Sequence, residues 1–262
     1  MPEMSNLMMK TTHKIMRENC HFSIRQSGFT LVEIMVALTI GLLMMAGILQ
    51  ISLANKESSR LQRNMGFVQE NIRTASQILT SDIRMAGLKT DITRDLSAPR
   101  LAAIEGAIVG GGSTNDQITI AYQSNTDCLG LDTPPEAPGQ LRTAVNRYFT
   151  QNLRLMCEGN GNPGVPQPLL EGVEGLQILF GENTNGDGVT PNRYVSATQA
   201  NMSRVVAVRI GMRFISRETV RPAVDTNQYA LLDAAPFTPG ANDRLLRREL
   251  TTTISLRNDA QL

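Results

Sequence analysis

The chain contains no tryptophan, and only 4% of its 262 residues are aromatic. A surface that stacks nucleic-acid bases on aromatic rings therefore has little to be built from. Basic and acidic residues number 25 and 24, so the basic excess typical of nucleic-acid-binding domains is missing too. Histidine is nearly absent: His13 and His21 both precede an apolar run that begins at Phe29. Beyond residue 28 there is none, which excludes a Ser-His-Asp triad, a Cys-His dyad and a His-ligated metal centre from that part of the chain. No Gly-x-Ser-x-Gly, phosphate-loop or zinc-ligand spacing occurs either, so the sequence supplies no catalytic residues and no cofactor site and reads as a non-enzyme. What is present is 41% apolar and 19% charged, a composition that folds around a core.

The least uniform segment is Phe29–Ala54, FTLVEIMVALTIGLLMMAGILQISLA, whose single charge is Glu33. A helix needs ~20 mostly apolar residues to cross a bilayer, and this run is long enough. Residues 1–28 carry Lys10, Lys14, Arg17 and Arg25 against Glu3 and Glu18. By the positive-inside rule the N-terminus is cytoplasmic and the remainder lies across the membrane. A plain signal anchor and a secretory signal peptide cut after Ala54 are two readings of such a segment. The apolar stretch exceeds the ~7–15 residues usual for a secretory h-region. Neither reading has a use for a carboxylate at the cytoplasmic edge.

Gln26-Ser27-Gly28-Phe29-Thr30-Leu31-Val32-Glu33 resembles the cleavage motif of type IV prepilins, placed directly before the span. The resemblance implies removal of a leader, residues 1–28, by a prepilin peptidase that cuts between Gly28 and Phe29. It implies N-methylation of Phe29, and for Glu33 a role in assembly, neutralising the terminal amine of a neighbouring subunit. A carboxylate near a helix N-terminus is favoured by the helix dipole by ~0.3–1 kcal/mol, and an ionisable group in a membrane segment is a functional candidate by default. Major pilins commonly interrupt this helix with proline. Here none occurs between the motif and Pro99, which suits a minor pilin or a pseudopilin better.

Beyond Ala54 the chain turns polar, and Leu61, Met65, Val68, Ile72, Ala75, Leu79, Ile83 and Ala86 recur at steps of three and four. This is one face of a continuing helix, with Arg63, Glu70, Arg73 and Asp82 off the stripe and Gly87 as its C-cap. The expected organisation is a leader at 1–28, a membrane or filament-core half-helix at 29–54, a periplasmic half-helix at 55–87 and a β-rich domain at 88–262. Strand candidates are Gln117–Tyr122, Ala144–Thr150, Asn152–Met156, Gly175–Phe180, Arg204–Ile215, Gln228–Leu232 and the alternating Leu250, Thr252, Ile254 and Leu256. In Arg204–Ile215, Val206, Val208, Ile210, Met212 and Phe214 share one face, opposite Arg209 and Arg213, a pattern with one buried face. The fold class is α+β, a long N-terminal helix packed on an antiparallel sheet.

Three further stretches resemble PilW-type minor pilins: Ser81–Gly87, Arg247–Asn258, and the Asn185-Gly186-Asp187-Gly188 turn with Arg193-Tyr194-Val195. The resemblance implies a low-abundance subunit that helps initiate the type IV pilus and sits at or near its tip. Implied partners are other minor pilins, the major pilin, the prepilin peptidase, the assembly platform, a tip adhesin and the inner membrane. A type II secretion pseudopilin and an adhesin or DNA-uptake pilin are the alternatives. With four basic and two acidic residues removed in the leader, 21 basic and 22 acidic residues remain, so no nucleic-acid partner is expected.

Of three cysteines, Cys20 lies in the leader, leaving Cys128 and Cys157 on the oxidising side, where a disulfide is the default. Closing that loop is worth ~3–4 kcal/mol in the chain-entropy model. Residues 183–188 (Asn-Thr-Asn-Gly-Asp-Gly) resemble the opening of a calcium loop, but position twelve is Tyr194 rather than Glu, and the segment reads first as a polar turn.

Overall fold

The computed structural model of the chain describes residues 28–88, 101–109, 113–135, 142–185 and 190–258. It contains α1 (Leu31–Met85), β1 (Leu101–Val109), β2 (Ser113–Gln123), β3 (Thr143–Gln151), β4 (Arg154–Gly159), β5 (Gln167–Glu171), β6 (Val173–Glu182), β7 (Arg193–Val195), β8 (Val205–Thr219) and β9 (Leu245–Ser255). The fold class is α+β. Two compact units, Met1–Ser52 and Leu53–Leu262, divide within α1.

The described part of the first unit is a short lead-in and the start of α1. Thr30 caps the helix: the Glu33 amide donates to Thr30 Oγ1 at 3.2 Å, and the Glu33 and Ile34 amides both reach the Thr30 carbonyl. Apolar side chains are exposed all round, Leu31 and Leu43 at 74%. Thr39 satisfies its hydroxyl inside the helix by donating to the Val36 carbonyl at 2.8 Å.

In the second unit α1 buries Val68, Ala75, Leu79 and Ile83, while Leu61 stays exposed. The helix ends at Gly87, whose φ of 74° is left-handed and whose amide donates to the Ala121 carbonyl of β2 instead of to the helix. The Asn258 side-chain amide, from beyond β9, donates to the Arg84 carbonyl at 3.1 Å and so covers a carbonyl that the helix end leaves open.

Two antiparallel sheets, rather than one, complete the unit. The first runs β1-β2-β3-β4-β5 and the second β7-β6-β8-β9. Gly172 carries the chain from β5 in the first sheet to β6 in the second. Its φ is 72°, and a methyl there would lie 2.8 Å from the Ile215 carbonyl oxygen. The sheets are tied side chain to backbone: the Leu176 amide donates to Asn115 Oδ1 at 3.1 Å and the Ile178 amide to Asp116 Oδ2 at 2.8 Å. The α1 stripe meets Ile118 and Ile120 of β2, Tyr148 of β3, Phe180 of β6 and Ile210 and Phe214 of β8 in one apolar cluster.

Several sequence expectations are corrected. Asn152 and Leu153 form the turn between β3 and β4 rather than the start of a strand. Both have positive φ, 51° and 59°, as a two-residue hairpin turn whose twist matches its strands requires. Gln228–Leu232 contributes only an isolated bridge, Tyr229 to Phe237, because Leu232 takes a left-handed φ of 52°. β1 and β5 were not marked by alternation. β5 carries Pro168, tolerated because β5 is an edge strand. In β8 both faces are buried, not one. The segment 220–244 lies over the second face, so close that a methyl on Gly211 would meet Leu232 at 2.8 Å. Arg213, expected opposite the buried face, is 2% exposed.

Candidate functional site

Gly28, Phe29 and Thr30 precede the helix in exposed chain that belongs to no helix or strand, and Phe29 is 79% exposed. The Gly28–Phe29 peptide bond is therefore outside any hydrogen-bonded element. Glu33 sits in the first turn of α1, one of the few polar side chains on the exposed apolar stem. Among the described residues its carboxylate meets no cation. Gly28 and Phe29 thus lie just ahead of, and Glu33 in the first turn of, a helix long and apolar enough to cross a membrane.

A second cluster lies where α1 meets the first sheet. Asp82, off the apolar stripe in the sequence, is 9% exposed. Its Oδ2 accepts from the Tyr148 hydroxyl at 2.5 Å and from the Asn146 amide at 2.9 Å, and its Oδ1 from the Tyr122 hydroxyl at 3.3 Å. Burial first, and then the nearby Asp82, push both tyrosine hydroxyls well above their ordinary range, so they remain donors. Asn146 also accepts from the Cys128 amide at 2.9 Å. Cys128 is bridged to Cys157, with Cα atoms 6.6 Å apart. One asparagine thus ties the helix end to the disulfide loop. Asp127 organises that loop by accepting from the Leu129, Leu131 and Gly161 amides.

A third cluster fastens the 220–244 segment over the second sheet. Arg247 donates to Glu174 at 2.9 Å, Asp243 at 2.6 Å and Asp225 at 3.3 Å. Arg213 donates to Glu174 at 2.7 Å and lies 4.1 Å from the Phe237 ring centre. Burial works against the Arg247 charge, but the Glu174 and Asp243 carboxylates outweigh it and hold its pKa above normal. Asp243 is lowered by its bond from Arg247. Asp225 is lowered although burial opposes it, because the Tyr229 hydroxyl and Asn227 amide donate to it.

Residues 24–49 match the Prokaryotic N-terminal methylation motif, and residues 142–258 match the family described as Type IV Pilus-assembly protein W. PilA3, a pilin-like protein of Thermus thermophilus, is 27% identical over 162 residues, 58% of this chain and 66% of that protein. The match therefore spans just under two thirds of that relative. The chain is thus similar, at both ends, to type IV prepilin-like proteins. Among solved structures, a type IV-like pilin from Thermus thermophilus is 16% identical, with 73% of this chain and 97% of that chain covered and a TM-score of 0.43. A chain from the GspK-GspI-GspJ complex of the enterotoxigenic Escherichia coli Type 2 Secretion System is 13% identical, with 72% and 97% covered and a TM-score of 0.39.

In this prepilin-like chain the 183–188 turn is only partly described, since residues 186–189 lie outside the described residues. The Asn183 side-chain amide donates to the Thr190 carbonyl at 3.0 Å. Glu182, which flanks the turn, is already held by Arg193 at 2.5 Å and by the Asn201 amide. Burial pushes the Glu182 pKa up, yet those two donors bring it below the ordinary carboxylate range. Among the described residues no three side chains form a metal-ligating group. The leader, with His13, His21 and Cys20, also lies outside the described residues. Sequence reasoning missed Thr30, although Thr30-Leu31-Val32-Glu33 has the Thr-x-x-Glu spacing of a capping box. It missed Asp82, Arg213 and Arg247 as buried residues, and no local pattern marks them.

Proposed function

We propose that the chain is a non-enzymatic minor pilin, inserted with its N-terminus in the cytoplasm and its β-rich part on the periplasmic side. The prepilin peptidase cuts between Gly28 and Phe29 and methylates the new Phe29 amine. Glu33 then neutralises that amine on a neighbouring subunit. Assembled with other pilins, the subunit helps to initiate the pilus at or near its tip. The observation that carries this reading is the juxtaposition at the N-terminus. An exposed, non-helical Gly28–Phe29 bond is followed by a Thr30-capped helix. The one acidic side chain of its apolar stretch, Glu33, lies in the first turn, before an apolar surface that stays exposed among the described residues. An apolar helix surface of this extent has to be met by lipid or by other helices. The match over residues 142–258 favours a minor pilin over a secretion pseudopilin.

The test is the mature N-terminus, determined by mass spectrometry on membranes and on sheared surface filaments from the same cells. An N-methylated peptide beginning at Phe29 in filaments is the expected result. The same peptide confined to membranes would transfer the chain to the pseudopilin class. A chain beginning at Asn55, or an uncut leader, would overturn the pilin reading.

A further inference from the structure

The exposed flank of α1 in the second unit carries a groove of about 570 Å³ lined by Arg73, Ser76, Thr80, Ser81, Arg84 and Arg257. Arg73, Ser76, Thr80 and Arg84 recur at steps of three and four, and Ser81 lies three residues before Arg84, so they share one face. Arg257 comes from the tail beyond β9, and its neighbour Asn258 is fixed there by its bond to the Arg84 carbonyl. The groove is therefore built by the fold from both ends of the unit.

Its lining is basic, with three guanidiniums and no carboxylate. Arg60, Arg147, Arg154, Arg193, Arg213, Arg217, Arg221 and Arg247 each meet a carboxylate. Arg73 is held by Glu70 at 2.7 Å. Arg84 and Arg257, like Arg63, Arg142, Arg204, Arg209, Arg244 and Arg248, form no ion pair among the described residues, but they alone of these line one groove together. The helix dipole accounts for a cation at Arg84, in the last turn. It does not account for the second guanidinium facing the same groove. Between them lie short hydroxyl side chains, which keep the floor low and offer donors to an incoming carboxylate. Two guanidiniums suit a pair of carboxylates, each held bidentately. They do not suit a continuous phosphate backbone, which needs a basic stripe, and the chain beyond the leader has a slight acidic excess.

We propose that this groove docks an acidic segment of a neighbouring pilin-like subunit, with Arg84 and Arg257 gripping two of its carboxylates. The proposal rests on the chain being an assembly subunit and names the chemistry of one of its contacts. The experiment places a photoreactive amino acid at Gln77, which also lines the groove, in the full chain expressed in its own cells. Cross-linked peptides are identified by mass spectrometry. The expected peptide comes from another pilin-like protein and holds at least two Asp or Glu residues within about two helical turns. The double variant R84E/R257E should cut its yield about tenfold or more, R84K/R257K should retain a substantial part of it, and reversing the partner's acids should restore it to R84E/R257E. A peptide without such acids, a yield indifferent to charge reversal, or cross-links only to nucleic acid or lipid would overturn the proposal. So would the absence of a cross-link in cells whose Phe29 is methylated and whose filaments form. An unprocessed N-terminus in those cells would instead overturn the assembly reading on which the proposal stands. An unchanged Cys128–Cys157 mobility shift on non-reducing gels shows that each variant is folded.

Discussion

Between Leu31 and Ser52, α1 shows Leu, Ile and Met on every side, and its polar content is limited to Glu33, Thr39, Gln50 and Ser52. Between Asn64 and Ile83 the same helix seals one stripe against two sheets and takes Asn64, Asn71 and Asp82 into the interior with it. The first stretch needs nothing specific from the rest of the chain. Its requirement is an apolar surrounding along its whole circumference, which lipid or other helices supply. The second stretch depends on particular partners at particular distances: Asn71 donates to the Glu171 carbonyl at 2.6 Å, and Asn64 accepts from the Glu218 amide at 3.1 Å. An apolar stem tolerates exchange of one apolar residue for another. A packed polar contact does not tolerate loss of its partner.

The sharpest way to break this contrast is to remove the charge that fastens the second sheet's cover. Arg247→Ala removes the one cation paired with Asp243 and leaves Glu174 to Arg213 and Asp225 to Arg221 alone, and it should cost about 3 kcal/mol of domain stability. Denaturant melts should show it, with the Phe29 N-terminus still produced normally. Leu43→Arg should do the reverse. It puts a cation near the middle of the apolar stretch, a penalty of ~3 kcal/mol for insertion. Membrane retention should fall while the melting of the packed unit stays unchanged.

Acid should weaken the packed unit. Glu182, Asp225 and Asp243 have folded pKa values below their unfolded ones. The stability they contribute is complete above the unfolded values, near pH 4–5, and drains away as pH falls through the folded ones. Glu249, raised by burial, works weakly in the other direction. A pH series of melts should be flat above about pH 5 and fall below it. Retention of the unfolding midpoint down to pH 3 would contradict these ion pairs.

The smallest effect is expected at Gly66. A methyl there meets nothing within 4 Å, so Gly66→Ala should stabilise the helix by roughly 1 kcal/mol. A shift large enough to be measured in the assembled filament but absent in the isolated subunit would reveal a contact that the free chain lacks.

The stem and its N-terminal methylation motif were readable residue by residue, because Gly28 to Glu33 and the following apolar run are contiguous. The α1 stripe was readable from Val68 to Ile83, because helix periodicity reports directly on which face is buried. β2, β3, β6 and β8 were marked by alternation or apolar density. The failures share one cause. Arg213 lies on the polar side of an alternating strand, and Asp82 lies off an apolar stripe. Local pattern assigns both to solvent. They are buried because a second layer arrives from far along the chain: Phe237 and the 220–244 segment over Arg213, and Tyr122, Asn146 and Tyr148 around Asp82.

By itself, then, the sequence determined the apolar stem, the place of the N-terminal methylation motif, the α+β order and the cysteine pair available for bridging. Each depends on composition or on spacing within a few residues. The tertiary structure alone decided that the strands form two sheets, that β8 is covered on both faces and that Arg247 holds three carboxylates. It also decided that Arg84 and Arg257 meet in one groove. Those outcomes depend on which distant segments become neighbours, and side-chain charge and polarity carry no address for a partner 30 or 170 residues away.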